Sequence, residues 1–559
     1  MYKLIRTAEE YKEIMLELHP DKILFCDTET YTNEGKSDGG LYGKVRLFQL
    51  YQEGMTYAII IDCMFIPLDI VLGFVKPFHH VYHNSSYDLH TINLHTDDLW
   101  LPHEVDDTIY LSRLVLFQKG SRFDFHSCLA YAGLEDDMIK SIDKKANQKA
   151  DWGGVLTPTM LTYAACDVLY LSLLWAKVNK ALETEAYKLD IFNLKYAVEY
   201  SRRGIPTDPI AIKSELLDAT NKLESTLLLL PVNPNSPKQC CEYLGTTSSD
   251  KDVLVKLALE GHEGAALIKS ARELTKKVNF CKKYSRPIIK GFYNPSAAVT
   301  GRWSCTGGDV FDHSNLQQIP KELLYCLLAM LGKIFIYKDY AGLELRMAVC
   351  WIGDPTMERM IRDGIDLHTY TASVLFGKPM DQVTKLERNI GKICNFMLIY
   401  GGGAYRLQAE CRDWGISLTI AECKTHIGAW MGEYTSFPEW HKMTRRHLKT
   451  YGYMDVITAL GREVRTYKAN DALNTPIQGS SSEVTKMSLK YLKERYEDEY
   501  LVSTIHDSNT LLQDEKDADL WVGRLNECMC DAWYYVIKDT AIPDLPMPPE
   551  AVAGKRWKF

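Results

Sequence analysis

Apolar residues recur in short runs through the first third of the chain. Four runs have the length of a strand and are rich in β-branched and aromatic residues: ILFCD (23–27), VRLFQLYQ (45–52), YAIIID (57–62) and HHVYHN (79–84). Between them lie segments whose apolar residues are spaced as in helices. This alternation predicts an α/β domain with a central sheet over residues 1–185.

Beyond residue 186 the helical spacing of apolar residues dominates. Two stretches, 212–230 and 251–284, read as helices, and NPNSPKQ (233–239) predicts a loop between them. Residues 330–460 again show a helical pattern, and the last hundred residues contain a strand–turn–strand candidate, YLVSTIHDSNTLLQ (500–513). The pattern therefore predicts a second, largely helical unit that includes a β-hairpin.

Composition narrows the class of protein. The 559 residues are too many for a single core, and 46% hydrophobic with 25% charged residues is typical of a soluble globular protein. No uninterrupted apolar run reaches the ~20 residues that a membrane span needs, and the N-terminal stretch is charged where a signal peptide would be apolar. The 15 cysteines form no C-x-x-C pair, so we expect reduced thiols, no structural zinc and a cytoplasmic location without a membrane partner.

Positive charge is concentrated in one segment of an otherwise acidic chain. The formal net charge is −8, yet residues 269–302 contain nine Lys or Arg and one acid, Glu273. A solvated helix face usually mixes both signs, whereas a one-signed stretch is typical of contacts with phosphates. We therefore expect this segment to contact a nucleic acid.

Two acidic side chains end the first predicted strand. Asp27 and Glu29 are two residues apart, so both point to the same side of a strand. Carboxylates this close repel each other unless a proton or a metal lies between them. A strand that simply reaches solvent would look the same, so the choice depends on the other acids of this region.

Two further groupings supply those acids. Asn84 and Asp88 in HNSSYDL are four residues apart, as are Tyr163 and Asp167 in YAACDVLYL, and this spacing predicts that each pair shares one helical face. Together with the first pair they suit phosphodiester hydrolysis by two metal ions, one activating a water and the other stabilising the leaving oxygen. An all-oxygen site favours Mg²⁺, and Tyr163 is a candidate for orienting the water.

A second pair of acids lies in the C-terminal half. KIFIYKDYAGLELRMAV (333–349) reads as a strand that ends at Asp339 and is followed by a helix, and STIHDSNTL places His506 and Asp507 at a hairpin tip. Either Asp alone would be an ordinary turn residue. One Asp from each of two strands can instead hold two Mg²⁺ ions for in-line attack on a nucleoside triphosphate.

Between these acids, four residues follow one another at four-residue steps: Arg388, Lys392, Phe396 and Tyr400. Each step turns about 400°, so all four share one side of a helix. Two cations followed by two aromatic rings would meet a triphosphate and then a sugar and base. An amphipathic helix that buries its aromatic residues is the alternative, but a core-facing stripe would not continue into Arg and Lys.

These residues carry two family resemblances. The acids at 27/29, 84/88 and 163/167, supported by DDTIYLSRL, resemble the three motifs of the DnaQ-like 3'-5' exonucleases. DYAGLELR resembles motif A, R-x-x-x-K-x-x-x-F-x-x-x-Y-G motif B and HDS motif C of family A DNA polymerases. TGRWSC…NLQQIP, ALNTPIQGSSSEVTKMS, NSPKQCCEYLG and DLHTYTASVLFG resemble further segments of that family, so the resemblance follows the family's order along the whole chain.

The resemblance implies an architecture and an activity. An α/β exonuclease domain with an RNase H-like central sheet would occupy 1–185, and a right-hand polymerase domain 186–559. The helical thumb would be about 208–290, the helical fingers about 341–450, and the α+β palm the remainder. The implied activity is template-directed DNA synthesis with 3'-5' proofreading, using two Mg²⁺ per active site (Mn²⁺ as substitute), primer-template DNA and deoxynucleoside triphosphates.

The motif positions also imply roles for single residues. The implied catalytic metal ligands are Asp339 and Asp507 for synthesis and Asp27, Glu29, Asp88 and Asp167 for excision. The implied nucleotide-binding residues are Arg388, Lys392, Phe396, Tyr400, His368 and Glu344, the last as a steric gate against a ribose 2'-OH. The implied DNA-binding residues are Arg302, Asn315, Gln317, Asn474, Gln478 and His506.

Three features depart from the family pattern. Motif C ends in Ser508 where the family usually has glutamate, and Asn470 stands where an arginine is common. The exonuclease-like region also begins at once, without the 5' nuclease of bacterial repair enzymes. We therefore expect a monomeric replicative enzyme of the bacteriophage type, with replication accessory proteins as candidate partners.

Two other functions stay open at this point. One is a 3'-5' exonuclease whose C-terminal half only binds DNA, and the other is a DNA-binding scaffold without chemistry. The presence of both Asp339 and Asp507 favours the polymerase over the first, and five intact acidic or metal-site motifs argue against the second.

Overall fold

The first half of the molecule is built on a six-stranded mixed sheet. The computed structural model describes residues 1–31, 43–143, 146–147, 150–307, 313–505, 507–548 and 551–557. The strands of this sheet are β1 (Tyr2–Ile5), β2 (Leu24–Tyr31), β3 (Lys44–Gln52), β4 (Ala58–Asp62), β5 (His79–Tyr82) and β6 (Glu104–Asp107). Their order is β1-β4-β3-β2-β5-β6, and β3 runs antiparallel to both of its neighbours. All four predicted strands are confirmed, as β2 to β5.

Helices cover this sheet, and one of them forms much of the domain core. The helices are Ala8–Met15, Leu68–Val75, Ser85–Leu94, Thr108–Val115, Phe125–Ala132, Asp137–Ser141 and Pro158–Val178. The last begins where Thr157 caps its first turn and Pro158 occupies the first helical position. By length and composition alone the stretch Pro158–Ala181 could cross a membrane, but 61% of its most apolar window is buried. It packs against β2, β3 and β4, so its apolar character is that of a core helix.

The helix Glu185–Arg203 joins the two halves of the chain. Its Asp190 is fully buried and forms ion pairs with Arg462 and Lys486, both of which are buried as well. A buried carboxylate needs such partners, because an unpaired charge in the interior is very costly. These ion pairs therefore bind the connecting helix to the C-terminal half.

Four helices follow: Pro209–Leu228, Pro237–Leu244, Lys251–Leu259 and Glu263–Tyr284. The first and last pack against each other, and a separate small core among the last three includes Cys240, Leu254 and Ile268. The predicted loop at 233–239 is wrong in its second half, because Ser236 caps a helix that starts at Pro237. Proline suits the first helical position, where the backbone N–H has no partner to lose.

The C-terminal half combines short strand pairs with one larger sheet. The pairs are β7 (Ile205–Pro206) with β8 (Ile288–Ile289), β9 (Phe292–Asn294) with β10 (Ser304–Thr306), and β12 (Met454–Ile457) with β13 (Glu463–Thr466). The larger sheet is antiparallel and contains β11 (Lys333–Asp339), β14 (Leu501–Ile505), β15 (Ser508–Asp514) and β16 (Val552–Gly554), in the order β14-β15-β11-β16. The helices Ala469–Arg495 and Ala518–Ile537 pack on each other beside this sheet.

The chain between β11 and β12 forms a layer of helices. Its helices are Leu343–Ile352, Pro355–Arg362, Leu367–Phe376, Lys385–Leu398, Ala404–Asp413, Ile420–Glu433 and Ser436–Tyr451. Short 3-10 turns are Asn179–Ala181, Leu316–Gln318, Lys321–Cys326, Met380–Gln382 and Glu515–Asp517. All 15 cysteines are free thiols, as expected.

Two candidate active sites

Three of the predicted N-terminal acids meet at one point. Asp27 and Glu29 project from β2 on the side covered by the helix Pro158–Val178, which carries Asp167. One carboxylate oxygen from each of the three lies within 4.8 Å of the others. Asp88, from the helix Ser85–Leu94, is buried beside them and accepts a hydrogen bond of 2.7 Å from Thr28 Oγ1.

Burial and mutual repulsion disfavour the charged form of these acids. Burial raises the pKa of Asp27 to about 7. Burial, then the charges of Asp27, Asp167 and Asp88, hold the pKa of Glu29 well above its usual range. Burial and then the charge of Asp27 do the same to the pKa of Asp88. Buried carboxylates that raise one another's pKa in this way form a donor set suited to divalent cations.

The acids open onto a cavity of about 590 Å³, here called the N-terminal cavity. Tyr163 lines it one helical turn from Asp167, and burial, then the Asp167 charge, raises the pKa of its hydroxyl. Asn84 also lines it, but the prediction that it shares a helical face with Asp88 is wrong. It precedes the helix in the left-handed conformation (φ 71°), which asparagine tolerates better than most residues.

Other residues that line this cavity were not predicted from the sequence pattern. Phe123, Phe125, Trp152 and His126 contribute aromatic surface, which suits stacking against bases. Ala297 and Val299 come from the other half of the chain. Arg113 holds the start of this segment, because it donates to the backbone oxygens of Ser296 and of Ala297, the latter at 3.1 Å.

The second pair of acids meets at the edge of the antiparallel sheet. Asp339 ends β11 directly opposite Ser508, the first residue of β15, and Asp507 lies in the turn between β14 and β15. The backbone N–H of Tyr340 donates to the Asp507 carbonyl at 3.3 Å. Burial, then the Asp339 charge, raises the pKa of Asp507 to about 7. The predicted strand that ends at Asp339 is confirmed, and Asp507 lies at the tip of the predicted hairpin.

These acids lie in a second cavity, of about 530 Å³, here called the C-terminal cavity. The other predicted residues that line it are Arg302, Glu344, His368, Lys392 and Phe396. Ser481, Ser482 and Thr485, from the long helix Ala469–Arg495, line it without having been predicted. Gly342 adopts a φ of 63° before the helix Leu343–Ile352, and this turn brings Glu344 to the same cavity as Asp339.

Glu344 is held from two sides. The Tyr400 hydroxyl donates to its Oε2 at 2.6 Å, and the Arg302 guanidinium forms an ion pair with its Oε1. The helix Lys385–Leu398 ends before Tyr400, so the prediction of one continuous helical stripe from Arg388 to Tyr400 is wrong at its last residue. Gly401, with a φ of 72°, follows immediately and turns the chain.

Arg388 is engaged by a carboxylate. Its Nε donates to Asp366 Oδ2 at 2.7 Å, and each side chain is 41% exposed. Asp366 also caps the helix Leu367–Phe376, so Arg388 lies beside the turn that precedes His368.

Of the other predicted DNA-binding residues, those that the structure describes lie outside the lining of the C-terminal cavity. Asn315 caps the 3-10 turn that contains Gln317, accepting from its backbone N–H at 3.1 Å. Asn474 and Gln478 lie one turn apart on the helix Ala469–Arg495, and Asn474 Oδ1 is buried without a hydrogen-bond partner among the described residues. His506 lies outside the described residues.

Two separate sets of carboxylates, one on a mixed sheet and one on an antiparallel sheet, define a class: a two-site enzyme of phosphodiester chemistry. The family model for DNA polymerase family A matches residues 211–558, and that for a 3'-5' exonuclease matches residues 2–183. The chain therefore belongs to DNA polymerase family A and carries a 3'-5' exonuclease domain ahead of its right-hand polymerase domain.

Relatives agree with this assignment. DNA polymerase I of Aquifex aeolicus is 26% identical, with 100% of this chain and 99% of that protein covered. The DNA polymerase of Bacillus phage SP01 is 27% identical over 53% of this chain and 34% of its own length. A solved Pol1 polymerase domain from M. smegmatis, in complex with DNA primer-template and dNTP, has the same fold, with a TM-score of 0.73 at 18% identity over 100% of this chain and 99% of that one.

Proposed function

We propose that the C-terminal cavity extends a primer on a template and that the N-terminal cavity removes its 3'-terminal nucleotide. The observation that carries this proposal is the presence of two separate cavities, each lined by its own carboxylates. The Pol1 domain from M. smegmatis, in the same fold, is complexed with DNA primer-template and dNTP. Primer-template DNA and deoxynucleoside triphosphates are accordingly the partners that we assign to this chain.

The donor chemistry of both cavities fits Mg²⁺, with Mn²⁺ as a substitute. Asp27, Glu29, Asp88 and Asp167 would hold two ions in the N-terminal cavity, and Asp339 and Asp507 two in the other. All of these donors are carboxylate oxygens, the ligands that Mg²⁺ prefers. Bound ions would lower the pKa of the attacking hydroxyl or water and neutralise the leaving oxygen. Tyr163, one turn from Asp167, would orient the attacking water.

The nucleotide would lie along the helix Lys385–Leu398. Lys392 would bind the triphosphate with His368, and Arg388 would exchange the Asp366 carboxylate for phosphate oxygens, which a half-exposed ion pair permits. Phe396 would contact the sugar. Glu344, fixed by Arg302 and Tyr400, would occupy the space beneath a ribose 2'-OH.

DNA would be held by the remaining residues of the polymerase half. Arg302, Asn315, Gln317, Asn474, Gln478 and His506 would contact the primer end and template. The basic segment 269–302 would contact product phosphates, and Lys276 and Lys282 in it are exposed. We assign residues 1–185 to the exonuclease domain and 186–559 to the polymerase domain, with thumb 208–290 and fingers 341–450. A cytoplasmic monomer that works with accessory proteins in phage replication stays a prediction.

Reciprocal substitutions test the two-site proposal. Asp27→Ala should abolish degradation of a single-stranded 3' end and leave primer extension intact, because the ligands of the two cavities are different residues. Asp507→Ala should stop extension while degradation persists. Asp252→Ala, at an exposed helix position in another segment, is the matched control and should change neither rate. Loss of both activities in either single variant would contradict the assignment.

A further inference from the structure

Asn395 is a buried amide one residue from the nucleotide-facing side of its helix. It precedes Phe396 in the helix Lys385–Leu398 and is fully buried. Both ends of its side chain are hydrogen-bonded inside the helical layer, to Trp430, Thr371 and His368. Only His368 among these partners also lines the C-terminal cavity, so Asn395 can influence that cavity through this imidazole.

The orientation of the amide follows from the chemistry of its neighbours. Trp430 Nε1 lies 2.9 Å from Asn395 Oδ1, and an indole N–H can only donate. The atom that faces Trp430 must therefore be the amide oxygen. The Thr371 hydroxyl, 3.0 Å away, lies against the same oxygen. The NH₂ group is left to point at His368, whose Nδ1 is 3.2 Å from it.

The amide in turn fixes the imidazole. An NH₂ group can only donate, so Nδ1 of His368 must offer its lone pair and the ring proton must reside on Nε2. A second proton on Nδ1 would place two donors against each other. The surroundings also favour a neutral ring. Burial, which is the largest cause, and the charges of Arg388 and Lys392 outweigh the opposing charge of Asp366 and lower the pKa of His368 to about 4.

We propose that Asn395 is a positioning residue for nucleotide binding, which acts by holding His368 as a neutral imidazole whose Nε2–H donates to a triphosphate oxygen. This inference rests on the proposed nucleotide site. A neutral donor adds a direction-dependent hydrogen bond without adding a third positive charge beside Arg388 and Lys392. Trp430 belongs to the same hydrogen-bond network, because its indole N–H selects the orientation of the Asn395 amide.

The test combines a tautomer measurement with a double-mutant cycle. The ¹⁵N spectrum of imidazole-labelled enzyme, with the His368 signal assigned by its loss in His368→Ala, should show a proton on Nε2 alone from pH 6 to pH 8. In Asn395→Asp the carboxylate accepts from Nδ1, so the ring should take up a second proton in this range. The KM for a correct dNTP should then become pH-dependent and differ from wild type by about tenfold, the effect of one charge-assisted hydrogen bond.

In the His368→Ala background, Asn395→Asp should change KM less than about twofold, because the imidazole through which Asn395 acts on the nucleotide has been removed. Trp430→Phe keeps the packing but frees the amide, and should raise KM in the wild-type background only. A proton on Nδ1 in the wild-type enzyme would overturn the inference, and so would equal effects of Asn395→Asp in both backgrounds. Both the spectrum and Trp430→Phe remain decisive if Asn395→Asp does not fold. Failure of the proposed function is a different result: a wild-type enzyme with this spectrum but no extension.

Discussion

The clearest consequence of the polymerase geometry concerns sugar discrimination. Glu344 is held by an ion pair with Arg302 and by a 2.6 Å hydrogen bond from the Tyr400 hydroxyl. Burial raises the pKa of Tyr400, so the phenol keeps the proton that it donates. We expect Tyr400→Phe to loosen the carboxylate without removing it, and Glu344→Ala to remove it altogether.

The two magnitudes differ. A hydrogen bond to a charged acceptor contributes ~1.5–3 kcal/mol, and because the Glu344 side chain is 22% exposed we take the lower end. Tyr400→Phe should therefore reduce discrimination against ribonucleotides by about tenfold. Forcing extra atoms into a filled space costs ~1–3 kcal/mol, so Glu344→Ala should reduce it by roughly 5- to 150-fold.

The assay is single-nucleotide incorporation, comparing kcat/KM for each dNTP with that for its ribonucleotide. Tyr370→Phe is the matched control, because the Tyr370 hydroxyl also donates to a carboxylate, Glu433, at 2.6 Å elsewhere in the helical layer. It should leave the ratio unchanged. Unaltered discrimination in Glu344→Ala would show that the gate lies elsewhere, and a change in that variant but not in Tyr400→Phe would show that Arg302 alone holds the carboxylate.

Three further predictions concern the sugar site, the metal site and stability. Phe396 has no hydroxyl that could substitute for the 3'-OH absent from a dideoxynucleotide, so Phe396→Tyr should increase chain termination by dideoxynucleotides in a primer-extension ladder; equal sensitivity would contradict its place over the sugar. Ser508 Oγ donates to the Ile505 carbonyl at 2.9 Å, so Ser508→Ala should lower the free energy of unfolding by about 1 kcal/mol. Ser508→Glu should lower the Mg²⁺ concentration that gives half-maximal extension. An unchanged Mg²⁺ concentration in that variant would contradict the idea that the missing glutamate sets the metal requirement. Asp190→Asn leaves Arg462 and Lys486 buried without their carboxylate, so the free energy of unfolding in urea should fall by ~3–5 kcal/mol. Asp218→Asn is the control: it removes an exposed ion pair with Lys222 and should change the free energy of unfolding by less than about 1 kcal/mol.

Local sequence signals predicted the elements that carry the chemistry. The strands that carry Asp339 and Glu29 are recognisable because an apolar run leads into an acid. The predicted end at Asp339 is confirmed, whereas the strand that carries Glu29 continues to Tyr31. The errors lie where a single residue ends or begins an element: Gly401 stops the helix before Tyr400, and Ser236 starts one inside a presumed loop. Such boundaries depend on capping geometry, which periodicity does not contain.

The residues that sequence reasoning missed act across long chain separations. Asn395 reads as one more polar residue of an amphipathic helix, and its importance depends on Trp430 and His368, which arrive from other helices. Arg113 reads as the basic end of a short helix, although its hydrogen bonds are to Ser296 and Ala297. A one-dimensional pattern cannot indicate which distant segment a polar side chain will meet.

Residues 294–302 form a short segment that links the N-terminal cavity to the C-terminal cavity. Tyr110 donates to Asn294 Oδ1 at 3.0 Å, and Arg113 holds the next residues by their carbonyl oxygens. Val299 lines the N-terminal cavity, and only three residues later Arg302 lines the other and contacts Glu344. Three residues span at most ~11 Å, so the wall of the N-terminal cavity and the arginine that pairs with Glu344 in the C-terminal cavity cannot move far apart. The helix Thr108–Val115 of the exonuclease domain therefore helps to set the geometry of the C-terminal cavity, although it contributes no residue to the described lining of that cavity.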